Sequence, residues 1–199
     1  MPPYSIAIQN LTKSFHGLLV LNGLNMELVS GNTYCLMGAS GIGKTTFLRI
    51  LLGLEQPDGG TVTINGGSAA DCHMTAVFQE DRLCETFSAL DNVLLAAGRN
   101  LKREAAYREL CRLLPEESVT RPVSTLSGGM KRRVAILRAL LAPSCAVLMD
   151  EPFTGLDEDT KQTVVEYIKE KTVGKLLIVV THQEEDMAAL NGQLIMLSQ

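Results

Sequence analysis

Gly38-Ala39-Ser40-Gly41-Ile42-Gly43-Lys44-Thr45 follows a short apolar run, Thr33 to Met37, and leads into Thr45 to Leu52, which reads as a helix stopped by Gly53. Strand, glycine bend, lysine and helix in that order decide the fold. The glycines let the backbone curl until successive N–H groups face inward on a chain of phosphates. The helix that follows adds the positive end of its dipole. Lys44 brings a mobile positive charge to the terminal phosphates, the Thr45 hydroxyl suits a Mg²⁺ ion, and Thr46 has a hydroxyl to donate to phosphate. A glycine-rich turn that matched by chance would lack the strand before it and the helix after it.

Working outward, Ser5 to Leu11 alternates apolar and polar residues as a strand does, and Leu24, Met26 and Leu28 continue that period in a second strand. Thr61 to Ile64 follows the turn cluster Gln56 to Gly60, and Thr75 to Phe78 is another short strand. Helical patterns cover Ser88 to Ala97, Lys102 to Leu114, Ser127 to Ala142, Asp159 to Thr172 and Glu184 to Leu190. Apolar strands lie at Cys145 to Met149, Leu176 to Val180 and Gln193 to Leu197. Strands alternating with helices predict an α/β fold with a mostly parallel sheet flanked by helices, a small antiparallel β-subdomain, and an inserted helical subdomain. The expected organisation is a single domain over 1–199, with its core in 1–79 and 127–199 and the helical subdomain in 80–126.

The composition agrees with one globular unit. The 199 residues are 46% hydrophobic and 20% charged, enough apolar side chain for a core. The net charge of -4 argues against a chain-wide polyanion surface. No uncharged apolar run reaches the length of a membrane span, and Met1 to Tyr4 lacks the features of a signal peptide, so a soluble cytoplasmic protein is expected. Five scattered cysteines with no C-x-x-C pair read as thiols rather than as a disulfide framework or a zinc site.

Two further segments carry chemistry. Ala146 to Met149 ends in Asp150-Glu151. An isolated acid pair reads as solvated caps of a strand. Behind an apolar tetrad, and in a chain with a phosphate loop, it should emerge at the carboxyl edge of the sheet, where Asp150 holds the Mg²⁺ shell and Glu151 polarises the attacking water. Leu126-Ser127-Gly128-Gly129-Met130 opens a long helix. Ser127 is a good cap, and two poor helix formers in the first turn suit either a plain glycine turn or close approach of an anion to bare backbone.

Taken together, these segments resemble the nucleotide-binding subunit of an ABC transporter, over essentially the whole chain and in the family's motif order. Gly38 to Thr45 resembles the Walker A loop, Val147 to Glu151 the Walker B strand with its catalytic glutamate, and Leu126 to Met130 the signature that sets this family apart from other P-loop enzymes. The resemblance implies a P-loop NTPase fold with ATP and Mg²⁺ as ligands. It implies ATP contacts from Gly38, Ala39, Ser40, Gly41, Ile42, Gly43, Lys44, Thr45 and Thr46, and an aromatic contact with adenine from Phe15. Gln79 falls at the Q-loop, touching Mg²⁺ and water and sensing the membrane partner; Asp157 falls at the D-loop across the dimer seam; His182 falls at the switch that meets the γ-phosphate. Glu151, His182, Lys44 and Gln79 thus form the implied catalytic set, Thr45, Gln79 and Asp150 the metal set, and Ser127, Gly128 and Gly129 the trans contact to a partner's ATP. Two residues depart from the family's pattern: Met130 ends the signature where Gln is usual, and Ile42 stands where a smaller or polar residue is usual.

What this implies is ATP hydrolysis energising a membrane transporter through nucleotide-driven dimer closure. The implied partners are transmembrane permease subunits and a second copy or a homologous ATPase subunit, and the reading allows a solute-binding protein. The implied place is the cytoplasmic face of the membrane. Gln79 to Leu83 with Ala89 to Val93 resembles the ATPases of nitrate, sulfonate and taurine importers. The alternatives are a non-transport ABC-type ATPase acting on nucleic acid, which the short 80–126 insertion and single domain disfavour, so that no nucleic acid is expected, and a nucleotide-dependent scaffold, which Glu151 and His182 disfavour.

Overall fold

The computed structural model describes residues 3–65 and 73–197. Strands β1 (Ser5–Phe15), β2 (Leu18–Val29) and β4 (Gly59–Asn65) form an antiparallel sheet in the order β2-β1-β4. Strands β3 (Thr33–Met37), β5 (Met74–Val77), β6 (Ala146–Asp150), β7 (Leu176–Val180) and β8 (Gln193–Met196) form a parallel sheet in the order β5-β6-β7-β3-β8. The helices are α1 (Lys44–Leu51), α2 (Ala89–Ala97), α3 (Arg103–Leu110), α4 (Gly128–Leu141), α5 (Glu158–Lys171) and α6 (Glu184–Leu190). This is the α/β architecture with a small antiparallel sheet that the patterning predicts.

The parallel sheet separates two apolar cores. Every residue of β6 and β7 is buried, as expected of strands covered on both faces. Their side chains alternate between the cores. Val147, Met149, Leu177 and Val179 pack with α2, α4 and α5 residues such as Leu90, Ile136 and Ile168. Ala146, Leu148, Leu176, Ile178 and Val180 pack with Phe47 and Leu48 of α1 and with Ile6, Ile8 and Leu28 of the antiparallel sheet. The phosphate-loop helix is thus clamped between the two sheets.

β2 starts at Leu18, well before the Leu24 that the alternation picks out, and three further outcomes differ from the patterning. β1 runs on to Phe15 rather than ending at Leu11, because register shifts between Ile8 and Leu11 and again before Lys13 break the period-2 alternation while pairing continues. α3 ends at Leu110, and the chain reaches Pro115 through a tightened turn in which Arg112 N–H and Leu113 N–H donate to the Glu109 and Leu110 carbonyls. Cys35, Cys84 and Cys111 are free thiols, but Cys145 is disulfide-bonded, against the expectation of thiols throughout; Cys72 lies outside the described residues.

Candidate functional site

Parallel pairing brings the carboxyl ends of three strands level. Leu36 of β3 pairs with Val180 of β7, which pairs in turn with Asp150 of β6. The residues that follow (the Gly38 loop, Glu151 and Thr181-His182) therefore emerge along one edge, where ligands of open α/β sheets bind.

The loop from Gly38 to Gly43 takes backbone angles that L side chains avoid at three glycines, with φ +147° at Gly38, +80° at Gly41 and +106° at Gly43. At Gly43 space is lacking too: a Cβ there would stand 2.8 Å from Val20 Cγ1 and 2.9 Å from Leu21 Cδ2. Ala39, Ser40 and Gly41 are exposed, and Ile42 packs its side chain into the core beneath the antiparallel sheet. Gly43 offers α1 no capping side chain, and the first backbone acceptor bond runs from Phe47 N–H to Gly43 O at 2.8 Å. That leaves the N–H groups of Lys44, Thr45 and Thr46 without intrahelical partners. Lys44, buried at the head of α1, donates to the carbonyls of Gly38 (2.7 Å) and Ala39 (2.9 Å). A buried ammonium satisfied by neutral carbonyls is a charge still lacking its anion.

Thr45 Oγ1 donates to Asp150 Oδ2 at 2.6 Å, and Asp150 is buried. A hydroxyl and one carboxylate at that distance are hard oxygen donors. Among the described residues no group of three or more His, Cys, Asp or Glu side chains is placed to cage a metal. A carboxylate and a hydroxyl, completed by water and phosphate oxygens, make the kind of donor set that suits Mg²⁺. Glu151 adopts φ +53°, a left-handed backbone that costs a non-glycine residue about 1 kcal/mol or more. It is held there by Glu151 N–H donating to Val180 O at 3.0 Å. Its Oε1 lies 2.9 Å from His182 Nε2.

The remaining candidates lie around this centre. Ser127 caps α4, its Oγ accepting from Met130 N–H at 3.3 Å. Gly128 has open space around it, whereas a Cβ on Gly129 would stand 3.1 Å from the carbonyl of Gly155, so the glycine lets α4 press against the loop that precedes α5. Met130 packs against the core under α2 and α4. Asp157 caps α5 and accepts from Thr160 N–H (2.9 Å) and Oγ1 (2.8 Å), bonds that hold its carboxyl below the usual range. Gln79 is exposed, and its carbonyl accepts from the guanidinium of Arg132, which also donates to Phe78 O at 2.6 Å. Phe15 lies at the tip of the β1–β2 hairpin, 39% exposed, with Lys13 Nζ 5.0 Å from its ring. Among the described residues no hydrogen bond or ion pair joins Ser127, Gly128, Gln79 or Asp157 to the loop Gly38–Thr46. Residues beyond the sequence motifs also shape the site: Val20 and Leu21 against Gly43, Arg132 under Gln79, and Lys161 and Asp186 beside His182. Val20 and Leu21 lie far from Gly43 in sequence, and Arg132 far from Gln79, so no local pattern pointed to these contacts.

Comparison with known proteins gives the family. The ABC transporter family model matches residues 21–154. The aliphatic sulfonates import ATP-binding protein SsuB 1 of Rhizobium johnstonii is 34% identical over 99% of the chain and 74% of its own length. The Nod factor export ATP-binding protein I of Burkholderia lata is 34% identical over 100% and 69%, and the phosphonates import ATP-binding protein PhnC 1 of Natronomonas pharaonis is 37% identical over 82% and 76%. Among solved structures, the dimeric bacterial ABC transporter cassette MJ0796 superposes with a TM-score of 0.83 at 30% identity, covering 96% of this chain and 94% of that one.

Proposed function

Because the chain belongs to the ABC transporter family of ATP-binding proteins and is an ATPase of that class, we propose that it energises a membrane importer by closing as a dimer around ATP and reopening after hydrolysis. The observation that carries this is the Glu151–His182 pair at the carboxyl ends of β6 and β7, beside the Lys44 loop.

In this reading the substrate's phosphates replace the Gly38 and Ala39 carbonyls as partners of Lys44, and the free N–H groups at the head of α1 take up phosphate oxygens. Thr45 and Asp150, with Gln79, would hold Mg²⁺, which when bound would neutralise phosphate charge. Glu151 accepts the proton of the attacking water, and His182, held by Glu151, meets the γ-phosphate. Phe15 stacks on adenine. Ser127 and Gly128 are exposed on the chain alone and Gly129 is half-buried; a partner's nucleotide would cover them, with Asp157 across the seam. Segment 80–126 serves as the helical subdomain that meets the permease, with Gln79 at its root. Among the described residues no helix is long and apolar enough to cross a membrane, so the proposed place is peripheral, at the cytoplasmic face, on permease subunits.

The sulfonate and phosphonate importers among the relatives support import; the Nod factor exporter is as similar as the first of these, so direction is the part to test. Co-purification of the chain with its membrane partner, reconstitution in vesicles and ATP-driven solute uptake is the experiment. Efflux instead of uptake rejects the importer, and ATP turnover indifferent to Glu151→Gln rejects the proposed chemistry.

A further inference from the structure

A buried polar assembly lies next to His182 and takes no direct part in the chemistry above. Asp186 on α6 is 3% exposed and Lys161 on α5 is 9% exposed, and the two pair at 2.5 Å. Thr181 Oγ1 donates to Asp186 Oδ2 and accepts from Gln183 N–H at 3.1 Å. Lys161 Nζ also donates to Gln183 Oε1 at 2.9 Å. Both chain neighbours of His182 are therefore tied to one ion pair. His182 itself, with a side chain 45% exposed, reaches out to Glu151. Beside the pair, a cleft of about 340 Å³ is lined by Glu151, Gly155, Lys161, His182 and Asp186, which leaves the imidazole room to move if its loop is not held.

Buried ion pairs are poor sources of stability, because removing two charges from water offsets most of their attraction; their better-attested use is to specify one geometry. This pair has a second connection. Lys161 N–H donates to Asp157 O at 2.8 Å in the first turn of α5. One residue thus bonds through its backbone to the D-loop aspartate and through its side chain to the loop of His182.

We propose that Lys161 and Asp186 are positioning residues that hold His182 in reach of Glu151 and couple that histidine to the placement of Asp157. This rests on the reading of His182 as the γ-phosphate contact. Neither residue touches substrate; they act by fixing Thr181 and Gln183 on either side of the histidine.

The test measures steady-state ATP turnover by the full chain, with the imidazole nitrogen signals of His182 read by NMR. Lys161→Met and Asp186→Asn lower kcat about 10- to 100-fold, the scale of a small misplacement of a reacting group. KM for ATP stays unchanged and the His182 signals shift. Lys161→Arg, which keeps the charge and donors, recovers most of kcat. Where Lys161→Met does not fold, Lys161→Gln, neutral and still a donor, carries the same expectation. His182→Ala, measured alongside, separates the two ideas. Full turnover in that variant overturns the underlying reading of His182. Loss of turnover in His182→Ala, with wild-type kcat and unmoved imidazole signals in the Lys161 variants, overturns the positioning role.

Discussion

His182 Nε2 stands 2.9 Å from Glu151 Oε1, a contact made by two residues whose strands, β6 and β7, are paired so that Asp150 lies opposite Val180. The register of one parallel ladder therefore delivers an acid and an imidazole to the same point. Glu151 is bent to φ +53° to reach it, a strained backbone of the kind that clusters at working sites. Glu151→Gln keeps the hydrogen-bonding shape and removes the base. It is expected to cut ATP turnover about 10²- to 10⁴-fold while ATP still binds. Phosphate release and equilibrium binding on the same preparation check this, and unchanged turnover removes Glu151 from the chemistry.

Lys44 separates binding from chemistry. Its ammonium is buried and held by Gly38 O and Ala39 O, so it is already aimed at the loop it serves. A charged hydrogen bond is worth about 1.5–3 kcal/mol. Lys44→Ala should raise the Kd for ATP about 10- to 100-fold in titration calorimetry, and an unaltered Kd places the phosphates elsewhere.

The parts of this arrangement that could be read from sequence share one property: their signal is local. Glycine spacing before Lys44, the apolar tetrad before Asp150, and Ser127 ahead of two glycines each state their backbone need within a few residues. So did the alternation of strands and helices, which gave the two-layer covering of the parallel sheet. What stayed hidden is non-local or irregular. β-bulges masked the second half of β1. The crowding of Gly43 by Val20 and Leu21 joins two segments that only the folded chain brings together. The Lys161–Asp186 pair spans α5 and α6 and reads, in sequence, as two charges on two amphipathic helices. The grip of Arg132 on the carbonyls of Phe78 and Gln79 is likewise invisible beside a signature that draws attention to Ser127.

The crowding at Gly43 can be measured against a neighbour. Gly41 has φ +80° and nothing within 4 Å of a built Cβ, so Gly41→Ala meets backbone strain alone, about 1 kcal/mol. Gly43→Ala meets similar strain and a collision with Val20 and Leu21, which adds about 1–3 kcal/mol. Urea unfolding of the two variants should show Gly43→Ala as clearly the less stable. Equal losses would mean that the antiparallel sheet does not press on the loop.

The helices α3 and α5 are joined by charges whose effect depends on pH. Arg112 Nη2 stands 2.6 Å from Glu170 Oε2, and its guanidinium lies 4.6 Å from the ring of Tyr167. The Arg112 hydrogen bond, with help from Lys171, holds the Glu170 carboxyl at about 2. Glu109 is also lowered: burial alone would raise it, and hydrogen bonds from Lys171 and Tyr167 outweigh that. Carboxyls depressed in the folded state contribute stability that is present above their unfolded value, about 4.3, and lost as pH falls toward the folded one. Arg112→Ala should therefore lower stability at pH 7, with a gap from wild type that narrows as pH drops from about 4.5 toward 2. The gap does not close, because the contact between guanidinium and ring remains when the acids are protonated. Urea midpoints across that range decide it: a gap that is constant or widens would show that the ion pairs do not join the two helices.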